Sequence, residues 1–124
     1  MAYKKKTLKD IVLGGIYEYF DTNGDVVYRG STEHQELYKV DMYHREGHKF
    51  VKFKYSMTVF RSNLRRPIAE KNEWDIRWVQ EPKEMTREQL LTLEGEKIQE
   101  MIVNAQCAFN HTPDPLASWK KYND

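Results

Sequence analysis

Two rhythms of apolar and polar residues divide the chain. Gly15-Ile16-Tyr17-Glu18-Tyr19-Phe20 is rich in aromatic and β-branched residues, Asp21-Thr22-Asn23-Gly24-Asp25 supplies an Asn-Gly turn, and Val26-Val27-Tyr28 resumes the strand pattern. Such a turn between two such runs predicts a β-hairpin. Ser31 and Thr32 then offer helix N-caps, and the stretch from Glu33 to Glu46 is compatible with a helix that Gly47 closes. Phe50, Phe53, Met57, Phe60 and Leu64 recur at steps of three and four, with Pro67 just beyond, and predict a second helix. Trp74 to Val79 alternates as a third strand that Pro82 ends. Thr86 and Gln89 stand at capping-box spacing and announce a third helix from about Arg87 to about Ala105. From Phe109 to Pro115 the pattern is irregular, and the last residues read as a short helix or a loose tail. The order β-β-α-α-β-α predicts an α/β fold with a small mixed three-stranded sheet flanked by helices.

Size adds one constraint: 124 residues make a single domain, with its core over about 11–112. With 31% charged and 40% hydrophobic residues the chain reads as globular and not disordered. No run approaches the roughly 20 apolar residues of a membrane span. The basic start at Lys4-Lys5-Lys6 is followed by no apolar stretch of signal-peptide length, so a cytoplasmic location is expected. The one cysteine, Cys107, forms no internal disulfide and no CxxC zinc site.

A net charge of +1 does not speak to partners, but its distribution does. Between Lys49 and Arg66 stand Lys49, Lys52, Lys54, Arg61, Arg65 and Arg66, with no acidic residue and with Phe50, Phe53, Tyr55 and Phe60 interleaved. A solvated helix face accounts for such a run; the missing counter-charges point instead to DNA phosphates.

One carboxylate breaks the pattern. With Glu94 at zero on a wheel of about 100° per residue, Leu90, Leu91, Ile98, Met101 and Ala105 fall within about 60°. Glu94 thus centres the apolar stripe, whereas Glu96 and Glu100 fall off it. A core-facing carboxylate costs several kcal/mol unless a cation or hydrogen bonds compensate. A metal ion is one such partner; an Arg, a Tyr or the rim of the core is the structural alternative.

Gly15-Ile16-Tyr17, followed after ten intervening residues by Tyr28-Arg29-Gly30-Ser31-Thr32, resembles the signature of the GIY-YIG nuclease family. Glu94, with Ile98 four positions on, and Asn110 resemble the family's later helical Glu and closing Asn. The resemblance implies a metal-dependent endonuclease that hydrolyses DNA phosphodiester bonds. In it Glu94 holds a magnesium or manganese ion, Tyr17 is the general base, Tyr28 positions water or a phosphate oxygen, and Asn110 braces the site. It implies one cleft that gathers the acid and both phenols. Small stand-alone members of the family come from phages or mobile elements, which would place the protein in a bacterial host cell; sequence specificity would come from the domain itself, a homodimer or a partner.

Two departures from the family stand out. Arg29 replaces an apolar residue, and reads as an outward-facing strand residue or a phosphate contact. The helical Arg expected ten or so residues after the second Tyr is replaced by Tyr38 and Lys39. Lys39 offers a point charge without the guanidinium fork, and Arg45 lies two turns on, about 10 Å away. The histidines at 34, 44, 48 and 111 form no compact zinc set, and His44 is a candidate for proton transfer or phosphate binding. The missing Arg motivates a second reading, a catalytically weakened nucleic-acid-binding module; a third is a protein-interaction domain.

Overall fold

Asp21 organises the first turn. Its Oδ1 accepts from the N–H groups of Asn23 and Asp25, each at 2.9 Å, and its carbonyl accepts from Gly24 N at 2.9 Å. Gly24 has φ +86°, a conformation that strains any residue with a Cβ. This turn joins β1 (Ile11–Phe20) to β2 (Val26–Thr32). The computed structural model describes residues 5–45, 73–103 and 114–123. The predicted second helix, the basic residues Lys49, Lys52, Lys54, Arg61, Arg65 and Arg66, and Asn110 lie outside the described residues.

β3 (Asp75–Thr86) pairs with the free side of β1, so the sheet order is β2-β1-β3. Both pairings are antiparallel, and the sheet is not the mixed one expected. Direction decides this: β3 begins opposite Phe20 and ends opposite Ile11, running back along β1. β3 is also longer than predicted, because Pro82 does not end it. The register passes from Gly14–Lys83 to Ile16–Gln80, leaving Glu81 and Pro82 unpaired at an irregularity in a terminal strand. A missing N–H there removes no ladder bond.

Helix α1 (Leu37–Arg45) starts later than the caps predicted. β2 runs on to Thr32, which is still paired with Gly15, and its hydroxyl receives only the His34 N–H, at 3.0 Å. Helix α2 (Arg87–Val103) begins with the expected box: Thr86 Oγ1 accepts from Gln89 N at 3.1 Å, and Gln89 Oε1 from Thr86 N at 2.9 Å. Helix α3 (Pro115–Asn123) has proline at its first position and Asp114 Oδ1 accepting from Ala117 N at 3.1 Å. Among the described residues no helix is long and apolar enough to cross a membrane.

The sheet separates two apolar layers. On one face Tyr17, Tyr19 and Val27 pack with Val40 of α1 and with Trp74; on the other Ile16, Met85 and Leu90 of α2 pack together, and Ile98 of α2 is fully buried. Each such Leu or Ile contributes about 1.5–3 kcal/mol by leaving water.

Arg87 locks the start of α2 to two distant segments. Its side chain is 7% exposed; it donates to Thr7 O at 2.7 Å and Asp10 Oδ2 at 2.9 Å, and as a fork to Glu33 at 2.9 and 3.0 Å. The Thr7 backbone and hydroxyl bonds, followed by Arg87, hold the Asp10 carboxyl down at about 2. Because the folded value lies below the unfolded one, this stability is present above about pH 4 and is lost as pH falls toward 2. Arg87→Met should cost about 2–3 kcal/mol at neutral pH, below the figure for a fully buried pair because both carboxylates stay partly in water. Urea unfolding between pH 2 and 7 should show that loss together with a shallower acid slope; an unchanged midpoint would contradict the lock.

Candidate active site at the edge strand

The α1 face of the sheet carries a row of phenols, and α1 meets them with polar side chains. Tyr19 donates to Asp41 Oδ1 at 2.7 Å, and the Tyr17 hydroxyl lies 2.5 Å from His44 Nε2. His44 is itself buried and stands edge-on to Tyr17, Tyr19 and Tyr28, with ring centroids 5.5, 5.5 and 5.4 Å apart. Burial pushes the Tyr17 hydroxyl well above the usual tyrosine value, with Tyr28, Glu94 and Tyr19 adding to the effect. Tyr17 is therefore a phenol at neutral pH, and its hydroxyl shares a hydrogen bond with His44 Nε2.

Gly30 allows this arrangement. It pairs with Tyr17 across the strands, and a Cβ there would lie 2.6 Å from Tyr17 Oη and 3.1 Å from a Tyr28 ring carbon. The phenol therefore rests directly over the β2 backbone.

Glu94 reaches the next residue of β2 from the other side. It lies on α2 between buried Leu90 and Ile98, as the helical wheel requires, and accepts a short hydrogen bond from the Ser31 hydroxyl. Burial lifts its carboxyl to about 7; the Ser31 hydroxyl and backbone bonds act in the opposite sense and do not cancel the effect. The acid and the phenols thus do not line one cleft on one face. They approach Gly30 and Ser31, one peptide step apart at about 3.8 Å, from the two sides of a strand that ends the sheet among the described residues. The Glu94 charge nevertheless acts on the Tyr17 hydroxyl.

The donor set fits a hard cation. Carboxylate and hydroxyl oxygens suit magnesium, which keeps several waters and needs one or two carboxylates. Among the described residues no group of three His, Cys, Asp or Glu comes together, so Glu94 would be the single anionic ligand.

The remaining expected residues are placed as follows. Tyr28 joins the tyrosine cluster on the α1 face. Lys39 is 46% exposed and pairs with Glu36 at 3.5 Å, away from the phenols, and Tyr38 is exposed. Arg45 is the last residue of α1. Arg29 is neither outward-facing nor available to phosphate: its side chain is 11% exposed, bonds Glu18 at 2.8 Å and donates to Lys97 O at 2.9 Å. Register explains this, since Arg29 pairs with Glu18 on the face that α2 covers, where a charge needs a counter-charge; Arg77 joins the same carboxylate at 2.7 Å. Ser31 was legible as a helix cap and as part of the Tyr28–Thr32 stretch, and its bond to Glu94 has no local sequence signal. His44 had one, since Leu37, Val40, Asp41 and His44 form a stripe of helical spacing.

No family model, no curated protein and no solved structure matches this chain significantly.

Gly30→Ala should push the Tyr17 phenol off β2 and break its bond to His44, at a cost of about 1–3 kcal/mol. Thermal unfolding and the ring-nitrogen NMR shifts of His44 report the two effects. A parent-like Tm with unmoved His44 resonances would show that the phenol does not depend on this glycine.

Proposed function

We propose that the protein is a divalent-metal-dependent DNA endonuclease of the GIY-YIG type, hydrolysing phosphodiester bonds at the Gly30–Ser31 edge of β2. The observation that carries this reading is Glu94. Its carboxylate is held on the apolar face of α2, the hydroxyl and backbone bonds from Ser31 leave its desolvation under-compensated, and a cation would complete it. A bound magnesium or manganese ion would supply charge stabilisation to the scissile phosphate and its leaving oxygen. Tyr17 would take the proton of a water that reaches its hydroxyl over Gly30 at the edge of β2, and His44, already bonded to that hydroxyl, would accept the phenolic proton in turn. Positive charge bound beside Glu94 would oppose the burial and carboxylate effects that raise the Tyr17 pKa. Tyr28, tilted against Tyr17 at 6.2 Å between ring centroids, orients the water or a phosphate oxygen.

A second reading, a nucleic-acid-binding module on the same scaffold, is favoured by one observation. Lys39, one of the two residues standing where the family has its Arg, pairs with Glu36 at the surface and leaves the phenols.

Plasmid DNA incubated with the protein and magnesium or manganese should be nicked or cut. Glu94→Ala and Tyr17→Phe should each reduce the rate by about 10²-fold or more. DNA that is retained on a gel but never cleaved with any divalent ion would establish the second reading.

The pH profile makes a separate check. A folded carboxyl raised to about 7 favours the protonated state, so its contribution to stability falls as pH rises from about 4.5 through about 7. The ion needs the deprotonated form, so at limiting magnesium the cleavage rate should climb through about pH 7 while folding stability declines. In Glu94→Gln the pH dependence of stability over this window should disappear. A flat profile in the parent protein would contradict the assigned state of Glu94.

A further inference from the structure

A second surface has a different composition and uses elements that the candidate site does not. Lys5, Lys6 and Lys9 surround an open cleft of about 390 Å³ whose other lining residues are Thr7, Leu8 and Trp119 of α3. All three lysines are exposed, Trp119 is half-buried, and no carboxylate lines the cleft. The nearby acids are engaged by Arg87: Asp10, which Thr7 also holds, and Glu33, whose charge also acts on Lys6. Lys120 and Lys121 follow Trp119 in the last turn of α3 and add positive charge on the same helix.

The lysines are carried on a fixed turn. Thr7 O is held by Arg87, Leu8 O by the Glu88 N–H at 3.0 Å, and Asp10 O by the Arg87 N–H at 2.9 Å. A cationic rim mounted on a braced backbone beside a half-covered indole combines the two elements that grip a nucleic-acid strand: charges for phosphates and a flat ring for bases. A stacked duplex offers the ring no base face, and carboxylates alone offer the indole nothing to stack on.

We infer that this cleft binds single-stranded nucleic acid, with phosphates on Lys5, Lys6 and Lys9 and a base stacked on Trp119. The inference rests on the proposed function for the choice of nucleic acid as partner, and it adds a contact surface that does not take part in bond cleavage.

Fluorescence anisotropy with a labelled 20-residue oligothymidylate in EDTA tests it without any metal chemistry. The combined Lys5→Ala, Lys6→Ala and Lys9→Ala variant should bind about tenfold or more weakly at low salt. Its slope of log affinity against log salt should fall by about 2, at roughly 0.7 per lost contact on a single strand. Trp119→Ala should lose about five- to a hundredfold on the single strand and little on a duplex of equal length, while Trp119→Phe keeps most of the parent's affinity. Circular dichroism identifies a variant that has failed to fold, and the Phe variant and the lysine variant keep the test decisive in that event. A lysine variant with the parent's affinity and salt slope, or a parent displaced equally well by an acidic peptide, would overturn the inference. A protein that binds here but never cuts DNA would overturn the endonuclease reading and leave this one standing.

Discussion

A carboxylate held between Leu90 and Ile98 is the constraint on which the arrangement depends. Burial favours its neutral form, and the bonds from Ser31 recover only part of what solvent gave the charge. Stability and reactivity pull apart at this point. The fold is easiest to form with Glu94 protonated, whereas a cation-holding carboxylate has to be charged. Ionising Glu94 in place therefore costs some folding free energy and leaves an anion that the protein alone satisfies poorly.

The phenols carry the complementary imbalance. Tyr17 is buried and protonated, bonded to His44, and its hydroxyl lies over a glycine that leaves the β2 backbone open. On one side of β2 a phenol is held protonated; on the other a carboxyl is held short of full ionisation. One positive charge near Gly30 and Ser31 would correct both, since it favours carboxylate and phenolate alike.

Much of this was legible in the residues, and the failures have physical causes. The Asn-Gly hairpin, the Thr86–Gln89 box and the place of Glu94 on the apolar stripe are local in sequence, and the structure reproduces each. Strand direction was not legible, because the partner of β3 is set by contacts across more than fifty residues. The extent of β3 was misread because Pro82 sits at an irregularity in a terminal strand, where its missing N–H is harmless. Arg29 looked free to face outward because strand alternation does not tell which face a helix covers. The expected single cleft failed for the same reason: Tyr17 and Ser31 lie on opposite faces of the hairpin, and parity along the strands, once the register is known, requires it. Arg87 carried no sequence signal as an anchor, since its partners Asp10 and Glu33 are brought to it only by the fold.

Crystals of the protein soaked in manganese, with data collected at the manganese absorption edge, test the central claim most directly. The account predicts one anomalous peak within coordination distance of a Glu94 oxygen, beside the Gly30–Ser31 step, with the Ser31 hydroxyl bond loosened to make room. A Glu94 that keeps its bond to Ser31 while manganese is absent, or binds elsewhere on the chain, would contradict it.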